Sequence, residues 1–440
     1  MNFRKLLLAA AGAAACLGTF AVAATAAKAD EQFIPLLVYR TGPYAPSGIP
    51  VANGLRDYYT MINKRDGGIN GVKITFEECE TQYKTNLGVE CYEKLKGHAP
   101  TGASFFSPYS TGITYQLIPK SAVDKIPLLT MGYGRTSAAD GQVFEWVFNP
   151  PETYWSQASA FIKYLAHRVG GYEKLKGIKL VHLYHNSAYG KEANPTFTTL
   201  AKRYGIKLTL IPVDHPGQEQ GSQWLQIRRI RSDYIFMSGW GVMNQVAIKE
   251  AAGIRFPMDH FIGNWWSGSE GDVIPAGPAA KGYLAITYHG AGDSWQVQKD
   301  IIKYVYGGDM AKANEEKVGQ VLYNRALVNA MVGVEGIRTA QAKFGKKSLT
   351  GDQVRWGLEH LNVTAADLAK LGFKGMVHPM KITCADHETM GPMIVQQWDG
   401  KQWHYASDWY TPMRDVVRPM IEADAMKYAK ENNITPRTCK

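Results

Sequence analysis

The 440-residue sequence lacks the features that define several large classes of protein. Beyond its N-terminal end it has no apolar run of about 20 residues, the length that a membrane-spanning helix requires. It has no long basic block, so its net charge of +10 does not by itself indicate a nucleic-acid partner. Its content of 45% hydrophobic and 20% charged residues is typical of globular domains. A multi-span membrane protein and a disordered chain are therefore excluded, and no nucleic-acid partner is expected.

Signatures of the common enzyme classes are also missing. No Gly-x-Ser-x-Gly nucleophile motif occurs. The segment Gly345-Lys346-Lys347-Ser348 ends like a phosphate-binding loop, but Ala340 stands where such a loop begins with glycine. No Cys-x-x-Cys or His-x-x-x-His spacing for a structural zinc site is present. The sequence therefore predicts a protein that is not an enzyme and that has no metal ion or cofactor.

The first 29 residues have the pattern of an export signal. A short basic start precedes an apolar stretch from Leu6 to Val22, and Ala27-Lys28-Ala29 places small residues at the two positions that signal peptidase reads. The apolar stretch is short for a membrane anchor and is followed by small residues. We therefore expect cleavage near Ala29 and a mature chain in the periplasm.

Cysteine is scarce, and its use fits an oxidising compartment. Five cysteines occur, one of them within the export signal, which leaves an even number in the mature chain. Such a count favours disulfide bonds over metal ligation. Cys79 follows a strand-like segment and Cys91 lies on the next predicted helix, which favours a local bridge between them. By elimination, Cys384 would then pair with Cys439.

Short runs rich in β-branched residues alternate with amphipathic helical segments, a pattern that predicts parallel sheets covered by helices. Asn149-Pro150-Pro151 interrupts the pattern and separates two series. The first series has predicted strands at 33–39, 103–107 and 127–130 and predicted helices at 51–63, 85–95 and 112–123. The second has predicted strands at 178–184, 207–213, 234–237, 260–263 and 283–288 and predicted helices at 154–169, 192–204, 222–229 and 243–252. Predicted helices at 323–344 and 351–360 follow, and then a hairpin at 380–403 that turns at Asp399-Gly400.

Six loops that directly follow predicted strands are rich in serine, threonine, glycine and aromatic residues. In open α/β sheets, ligands bind outside the carboxyl ends of the strands, where helix N-termini present free N–H groups. Two lobes that present such loops to each other would enclose a cleft with polar backbone groups and aromatic walls. The loops are 41–47, 107–112, 131–136, 185–190, 239–241 and 264–266.

The order and spacing of these segments resemble those of periplasmic solute-binding proteins of the branched-chain amino acid (Leu/Ile/Val-binding) type, which serve ABC importers. The resemblance covers about residues 32–415. It implies an α/β, type I periplasmic-binding fold, in which two Rossmann-like lobes are joined by three hinge crossings and the ligand cleft lies between the lobes. The segments that carry the resemblance are Thr41-Gly-Pro-Tyr-Ala-Pro-Ser-Gly48, Ile62-Asn63 with Gly67-Gly68-Ile69-Asn70-Gly71, Tyr109-Ser-Thr-Gly112, Tyr189-Gly190 and Gln397-Trp-Asp-Gly-Lys401.

The resemblance also implies where the lobes begin and end, with crossings near residues 150, 288 and 379. The expected organisation is a signal peptide at 1–29, an N-terminal lobe of 30–149 plus 289–378, a C-terminal lobe of 150–288 plus 379–418, and a C-terminal tail at 419–440.

Family positions carried over one at a time imply a set of ligand-binding residues. The loop in which the family holds the ligand carboxylate corresponds to Ser110 and Thr111, with Tyr109 beside them. The next loop corresponds to Tyr133 and Arg135, and the guanidinium of Arg135 could pair with a ligand carboxylate. The other expected contacts are Ser47, where several members place an aromatic lid, Tyr189, which caps the cleft, Trp240 at the far wall, and Tyr323 at the start of the long helix.

Packing and capping stay open as alternatives for these residues. Aromatic residues at strand ends often pack in the core, Ser110 and Thr111 could cap a helix, and Arg135 could be a solvated loop residue. Trp266 is expected to pack beneath its loop.

One departure from the family pattern concerns the ligand. Amino-acid-binding members carry an acidic residue in a Phe-x-Gly loop, which pairs with the ligand ammonium. This sequence reads Phe261-Ile-Gly-Asn-Trp-Trp266, with Trp265 at that place. Removing an ammonium from water without a partner is costly. A standard α-amino acid is therefore disfavoured and an aromatic or other carboxylate is favoured, while amides and cationic solutes stay open.

These inferences combine into one expectation. The protein is a periplasmic, monomeric receptor that captures a small solute by lobe closure and delivers it to integral-membrane ABC permease subunits with their ATPases. Three alternatives stay open: a ligand sensor with the same fold that feeds a regulatory system, a binder of branched-chain amino acids or amides, and a periplasmic enzyme on the same scaffold, for which no nucleophile–base pair is visible in the sequence.

Overall fold

The computed structural model describes residues 30–389 and 391–439 and folds them into two α/β units. The export signal predicted at 1–29 lies outside the described residues. The chain first forms β1 (Glu31–Phe33), β2 (Leu36–Val38), α1 (Ala45–Asp66), β3 (Lys73–Thr75), β4 (Glu78–Glu80), α2 (Thr85–Leu95), α3 (Thr111–Asp124), β5 (Leu128–Leu129) and β6 (Val147–Phe148). It continues with α4 (Tyr154–Val169), β7 (Lys179–His185), α5 (Ala188–Lys191), α6 (Asn194–Tyr204), β8 (Lys207–Val213), α7 (Gly221–Ile230), β9 (Tyr234–Ser238), α8 (Val242–Gly253), β10 (Phe261–Gly263), α9 (Glu270–Val273) and β11 (Leu284–Thr287). It ends with α10 (Gln296–Tyr304), α11 (Met310–Glu315), α12 (Val321–Phe344), α13 (Gly351–Glu359), β12 (Asn362–Val363), α14 (Ala365–Leu371), β13 (Met380–Lys381), β14 (Ile394–Trp398), β15 (Trp403–Tyr405) and α15 (Arg414–Glu431).

The sheet of the first unit is parallel. β1 pairs with β3 and β2 with β4. On the other side of β2, bridges from Leu36 to Ser107 and from Phe106 to Leu128 lead to β5, which pairs with β6. The strand predicted at 33–39 is divided because Pro35 has no N–H group to donate to a neighbouring strand. The strand predicted at 103–107 is reduced to two bridging residues.

The sheet of the second unit has seven strands in the order β15-β14-β11-β10-β9-β7-β8. The strands from β8 to β11 run parallel, whereas β14 is antiparallel to β11 and forms a hairpin with β15. The hairpin predicted at 380–403 is therefore confirmed only in its second half. Its first half is wrong, because β13 pairs with β12 instead.

Helix ends follow local signals in the sequence. α4 has the bounds that the sequence predicts, because the Thr153 hydroxyl accepts from the Ser156 N–H and Gly170 ends the helix with a φ of 92°. α1 begins earlier than predicted, at Ala45, since Pro46 fits the first turn of a helix. Ser47 therefore lies inside α1 and not in a loop.

The α/β class with two Rossmann-like units is confirmed. The later helices α10 and α12 pack against α1, and α13 packs against α12, so these helices return to the first unit. The chain passes between the units after β6, after β11 and before β14. The lobe boundaries given above stay predictions.

The C-terminal tail expected from residue 419 starts inside a helix. α15 contains Pro419 and packs against α4 and against a short 3-10 turn at Thr136–Ala139. Both expected disulfide bonds are present, Cys79–Cys91 and Cys384–Cys439, and the second ties the end of the chain to the segment between β13 and β14.

Two further properties follow from the side chains that the structure describes. None of its helices is both long and apolar enough to cross a membrane. Between residues 30 and 439, with Met390 left aside, no group of three or more His, Cys, Asp or Glu side chains is placed to hold a metal ion.

Candidate ligand-binding site

A cavity of about 540 Å³ lies between loops of the two units. This size is typical of small-molecule sites. The first unit contributes the loops before α1 and α2 and the start of α3, and the second contributes the loops after β7 and β8. The cavity therefore lies at the carboxyl ends of strands, where ligands bind in this fold class. Among its lining residues are Tyr44, Tyr83, Ser110, His185, Tyr189 and His215.

Two helices begin at the wall of this cavity. Ser110 caps α3, since its hydroxyl accepts a hydrogen bond of 3.3 Å from the Ile113 N–H, and Thr85 is the first residue of α2. The N–H groups in the first turn of a helix have no acceptor within the helix and form the positive end of its dipole. This side of the cavity therefore favours a ligand group that is rich in acceptors or negatively charged.

The opposite wall is held in place by buried hydrogen bonds. The Tyr189 hydroxyl donates to the Gly239 carbonyl at 2.9 Å, and Asn264 Nδ2 donates to the same hydroxyl at 2.8 Å. Across the cleft, the Tyr44 hydroxyl lies 3.0 Å from His185 Nε2. Burial lowers the pKa of His185 to about 4, so the imidazole is neutral near pH 7.

Behind the cavity, eight aromatic side chains form two sets of ring contacts, which are joined by a hydrogen bond of 3.0 Å from Trp266 Nε1 to the Tyr154 hydroxyl; together they are here called the aromatic cluster. Tyr133 stacks on Trp266 with ring centroids 4.0 Å apart, and Trp265 stacks on Tyr154 at 5.3 Å. Trp240 meets both Tyr133 and Trp266 edge-on. Such contacts bury large apolar areas and fix the rings relative to one another. The members are Tyr39, Tyr83, Tyr133, Tyr154, Trp240, Trp265, Trp266 and Tyr288.

Three polar atoms of the aromatic cluster are buried without a hydrogen-bond partner among the described residues. They are the indole Nε1 atoms of Trp240 and Trp265 and the hydroxyl of Tyr288. An indole N–H can only donate, and a buried donor without an acceptor costs free energy. A ligand that brings acceptor atoms would satisfy these groups.

One cation lies against the aromatic cluster. The guanidinium carbon of Arg325, on α12, is 4.9 Å from the Trp266 ring centroid and 5.1 Å from that of Tyr288. Arg325 Nε donates to His289 Nε2 at 3.0 Å and Nη2 donates to Thr287 Oγ1 at 3.1 Å. Burial lowers the pKa of Arg325, and contacts with two aromatic faces offset part of the cost of burying the charge.

The structure brings most of the predicted ligand-binding residues to this region. Ser110 and Tyr189 line the cavity, and Tyr133, Trp240 and Trp265 belong to the aromatic cluster. Of the remaining predicted residues, Thr111 is the first residue of α3 and Tyr109 meets the Tyr133 ring edge-on. The ligand-binding role of these seven residues stays a prediction.

Two other predicted residues bond elsewhere. Arg135 donates to Asp424 at 2.6 Å and lies over the Tyr428 ring, both on α15. The Tyr323 hydroxyl donates to Asp57 at 2.7 Å. Ser47, the last of the set, is buried in the first turn of α1. The ligand-binding roles of Arg135, Tyr323 and Ser47 also stay predictions.

Several residues of the region were not predicted from the sequence. Trp266, expected to pack beneath its loop, is fully buried and lies between Tyr133 and Arg325. Arg325 had a sequence signal, because a basic residue next to Leu322 and Ala326 on the buried side of a helix is costly. Tyr44 lies in the predicted cleft loop 41–47, whereas Tyr83, Tyr154 and Tyr288 had no signal, because their rings meet only in the folded chain.

Comparison with known proteins is consistent with this arrangement. A family model described as "Periplasmic binding protein" matches residues 31–402. Among curated proteins, no sequence matches the chain.

Three solved structures show the extent of the similarity. A protein of the Pseudomonas fluorescens group, described as an ABC transporter permease, is 46% identical with a TM-score of 0.86, over 93% of this chain and 100% of its own. A branched-chain amino acid ABC transporter protein from Thermus thermophilus with bound valine is 20% identical with a TM-score of 0.72, over 88% and 99%. A solute-binding protein of an ABC transporter from R. palustris in complex with benzoate is 16% identical with a TM-score of 0.68, over 87% and 97%. At these identities the last two show a shared fold and no more.

Proposed function

The chain belongs to the periplasmic binding protein family and is a solute-binding protein of the ABC transporter type, and on that premise we propose that its ligand is a small aromatic or other carboxylate and not a standard α-amino acid. The exported protein binds this solute in the periplasm between its two units, without chemical change. It then delivers the solute to permease subunits in the membrane.

The observation that carries this proposal is the environment of Trp265. Its ring stacks on Tyr154, and its buried N–H has no acceptor within the described part of the chain. A ligand ammonium placed here would lose its water and meet a hydrogen-bond donor, which is unfavourable. A ligand carboxylate would accept from the same N–H, so the position favours an acid over an α-amino acid.

The shape of the site supports a flat ligand body. Aromatic faces from both units meet behind the cavity, and they bind planar or apolar groups well. One protein of the same fold holds benzoate and another holds valine. The fold alone therefore does not decide between an acid and an amino acid, and the choice depends on the side chains of this chain.

Contacts across the cleft support capture by closure. Tyr133 and Trp266 belong to different units, as do Tyr44 and His185, and both pairs are in contact. A ligand that touches both units would stabilise this closed arrangement, which a permease can then distinguish from an open one.

The test is a ligand screen on the mature chain, residues 30–440. The panel is benzoate, 4-hydroxybenzoate, phenylacetate, leucine, valine, phenylalanine, benzamide and choline, read by thermal unfolding and then by calorimetric titration. A ligand at 100 times its Kd adds about 2.7 kcal/mol to the free energy of unfolding, enough to raise Tm by several degrees. We expect shifts with the aromatic acids. Binding of leucine or valine, with no response to any acid, would contradict the proposal.

A further inference from the structure

Both side chains that accept hydrogen bonds from the Arg325 guanidinium are neutral. His289 Nδ1 lies 2.9 Å from the Gly290 carbonyl and therefore carries the hydrogen, which leaves Nε2 free to accept from Arg325. Burial and the nearby guanidinium lower the pKa of His289 well below its usual value, so it stays neutral. The other acceptor is the hydroxyl of Thr287. Neither partner neutralises the cation.

Two carboxylates, those of Glu270 and Asp272, interact electrostatically with Arg325, but they form their hydrogen bonds with other residues. The Glu270 carboxylate accepts from the Val321 N–H at 2.9 Å. The Asp272 carboxylate accepts from Asn244 Nδ2 at 2.9 Å and from the Ser269 N–H at 2.8 Å. Their hydrogen bonds thus leave Arg325 without a direct counter-ion from either carboxylate.

Arg325 also has a free donor beside another unpartnered group. Its Nη1 atom is buried and makes no hydrogen bond with any residue that the structure describes, and the same holds for the Tyr288 hydroxyl. Arg325 is 1% exposed and Tyr288 3% exposed. The Tyr288 ring in turn meets the ring of Trp265, whose N–H is likewise free, with centroids 5.6 Å apart. Three side chains in sequential contact thus offer unused polar groups, two of which can only donate.

We propose that Arg325 selects an acid ligand by holding its carboxylate on Nη1, beside the Tyr288 hydroxyl. This inference rests on the proposed function, because it concerns the same solute; Arg325 and Tyr288 contact Trp266 and Trp265 of the aromatic cluster and are not among the residues that line the cavity. It differs from the family pattern, in which the carboxylate is held at the start of the third helix, here Ser110 and Thr111. The ligand class it names is an anionic aromatic acid, and the neutral amide of the same acid is rejected.

The discrimination follows from the energetics of a buried charge. An acid that reaches Arg325 gives the guanidinium a counter-ion and satisfies its free N–H with a charge-assisted hydrogen bond. A neutral amide of the same shape leaves the cation without a counter-ion inside the closed cleft. The unpaired buried charge then makes the binding free energy of the amide less favourable than that of the acid. Arg325 comes from α12, whereas Trp266 and Tyr288 follow strands of the second sheet, so an acid held here contacts both units.

The experiment measures a ratio of affinities, which a purely structural role of Arg325 would not change. Benzoate and benzamide, and phenylacetate and phenylacetamide, are titrated into the mature chain by calorimetry. For the wild-type chain we expect each acid to bind at least 10-fold more tightly than its amide. In Arg325→Gln the acid-to-amide ratio falls to about 1, and Arg325→Lys, which keeps the charge, restores part of it. Arg168→Gln is the matched control, because Arg168 also lies over a tyrosine ring, that of Tyr234, and pairs with Asp259, and it leaves the ratio unchanged.

A second variant keeps the inference testable if Arg325→Gln does not fold. Tyr288→Phe removes only a hydroxyl that has no hydrogen-bond partner among the described residues, so the chain is expected to fold, and acid affinity is expected to fall 3- to 10-fold with little change for the amide. If Arg325→Gln folds and keeps the wild-type preference for acids, or if Tyr288→Phe leaves acid affinity unchanged, the inference is overturned while the proposed function stands. If the wild-type chain binds no acid, both are overturned together.

Discussion

Tyr133 and Trp266 lie face to face with their ring centroids 4.0 Å apart and 29° between the ring planes. Tyr133 follows a strand of the first sheet and Trp266 follows a strand of the second, so the stack joins the two units. Trp240 packs edge-on against both rings. The affinity for a ligand that binds between the units should therefore depend on this stack.

Replacing Tyr133 by Ala is expected to weaken binding of an aromatic acid at least 10-fold. The substitution removes a stacked pair worth about 0.5–1.5 kcal/mol, together with the apolar area that the ring buries. The measurement is calorimetric titration with the acid that binds best in the benzoate series. Tyr172→Ala is the matched control, because Tyr172 also forms a stacked pair, with Tyr204, but is 40% exposed on the surface. Equal losses in the two variants would show that the Tyr133 stack has no special part in binding.

The pair Trp265→Glu and Trp265→Gln isolates the effect of charge at position 265. Both substitutions remove the ring that stacks on Tyr154, so both are expected to weaken the acid ligand at least 10-fold. Only the Glu variant supplies a carboxylate that can pair with an ammonium, and it alone is expected to bind leucine or valine. The measurement is thermal unfolding with each amino acid at millimolar concentration. Amino-acid binding by the Gln variant, or by the wild-type chain, would show that Trp265 does not exclude an ammonium.

The bounds of several elements follow from local signals in the sequence. α4 occupies its predicted residues because a threonine caps its start and a glycine ends it, and both signals depend only on neighbours in the chain. β7 lies within one residue of its prediction, since Leu180, Val181 and Leu183 place apolar side chains on both faces, as in a buried parallel strand. In contrast, Pro35 divides a predicted strand in two, an effect that the apolar pattern of 33–39 does not reveal.

The residues of the site were harder to predict from the sequence than the bounds of the helices and strands, because the site depends on contacts between distant parts of the chain. Tyr189 and Trp240 could be placed by resemblance, since each follows a strand at a position where the family binds ligands. The partner of Arg135 could not, because Asp424 lies 289 residues further along the chain, on a helix within the predicted C-terminal tail. The buried side of α12 gave a sequence signal for Arg325, but its contacts with Trp266 and His289 could not be predicted, because they exist only after folding.

Glu388 should make the stability of the protein depend on pH. Burial raises the pKa of Glu388 to about 7, while one carboxylate oxygen accepts from the Thr153 N–H at 2.8 Å. Between about pH 4.5, where the carboxyl titrates in the unfolded chain, and pH 7, the folded state holds more protons than the unfolded state. The free energy of unfolding therefore falls as pH rises through this window.

Glu388→Gln is expected to remove the contribution of Glu388 to that dependence and to raise the free energy of unfolding by about 3 kcal/mol at pH 8, with little change at pH 4. Urea unfolding from pH 4 to pH 8 measures both effects. The control is Glu315→Gln, because Glu315 is exposed at the end of α11 and its substitution should leave the pH profile as in the wild-type chain. A stabilisation of Glu388→Gln that is the same at pH 4 and pH 8 would show that ionisation of Glu388 is not its source.

The two disulfide bonds are expected to contribute unequally to stability. Cys384–Cys439 closes a loop with a sequence separation of 55, against 12 for Cys79–Cys91. In the chain-entropy description, the longer loop restricts the unfolded chain more. The free energy of unfolding is therefore expected to fall by about 1 kcal/mol more when its two cysteines are replaced by serine.

Arg437, two residues before Cys439, donates to the Gly141 carbonyl at 2.8 Å, so the end of the chain should remain docked after the Cys384–Cys439 bridge is removed. Ligand affinity is therefore expected to stay unchanged in the Cys384→Ser, Cys439→Ser variant. Urea unfolding and titration of the two double variants test both statements, and a larger loss for the Cys79, Cys91 pair would mean that native-state contacts, and not loop length, set the contribution of each bridge.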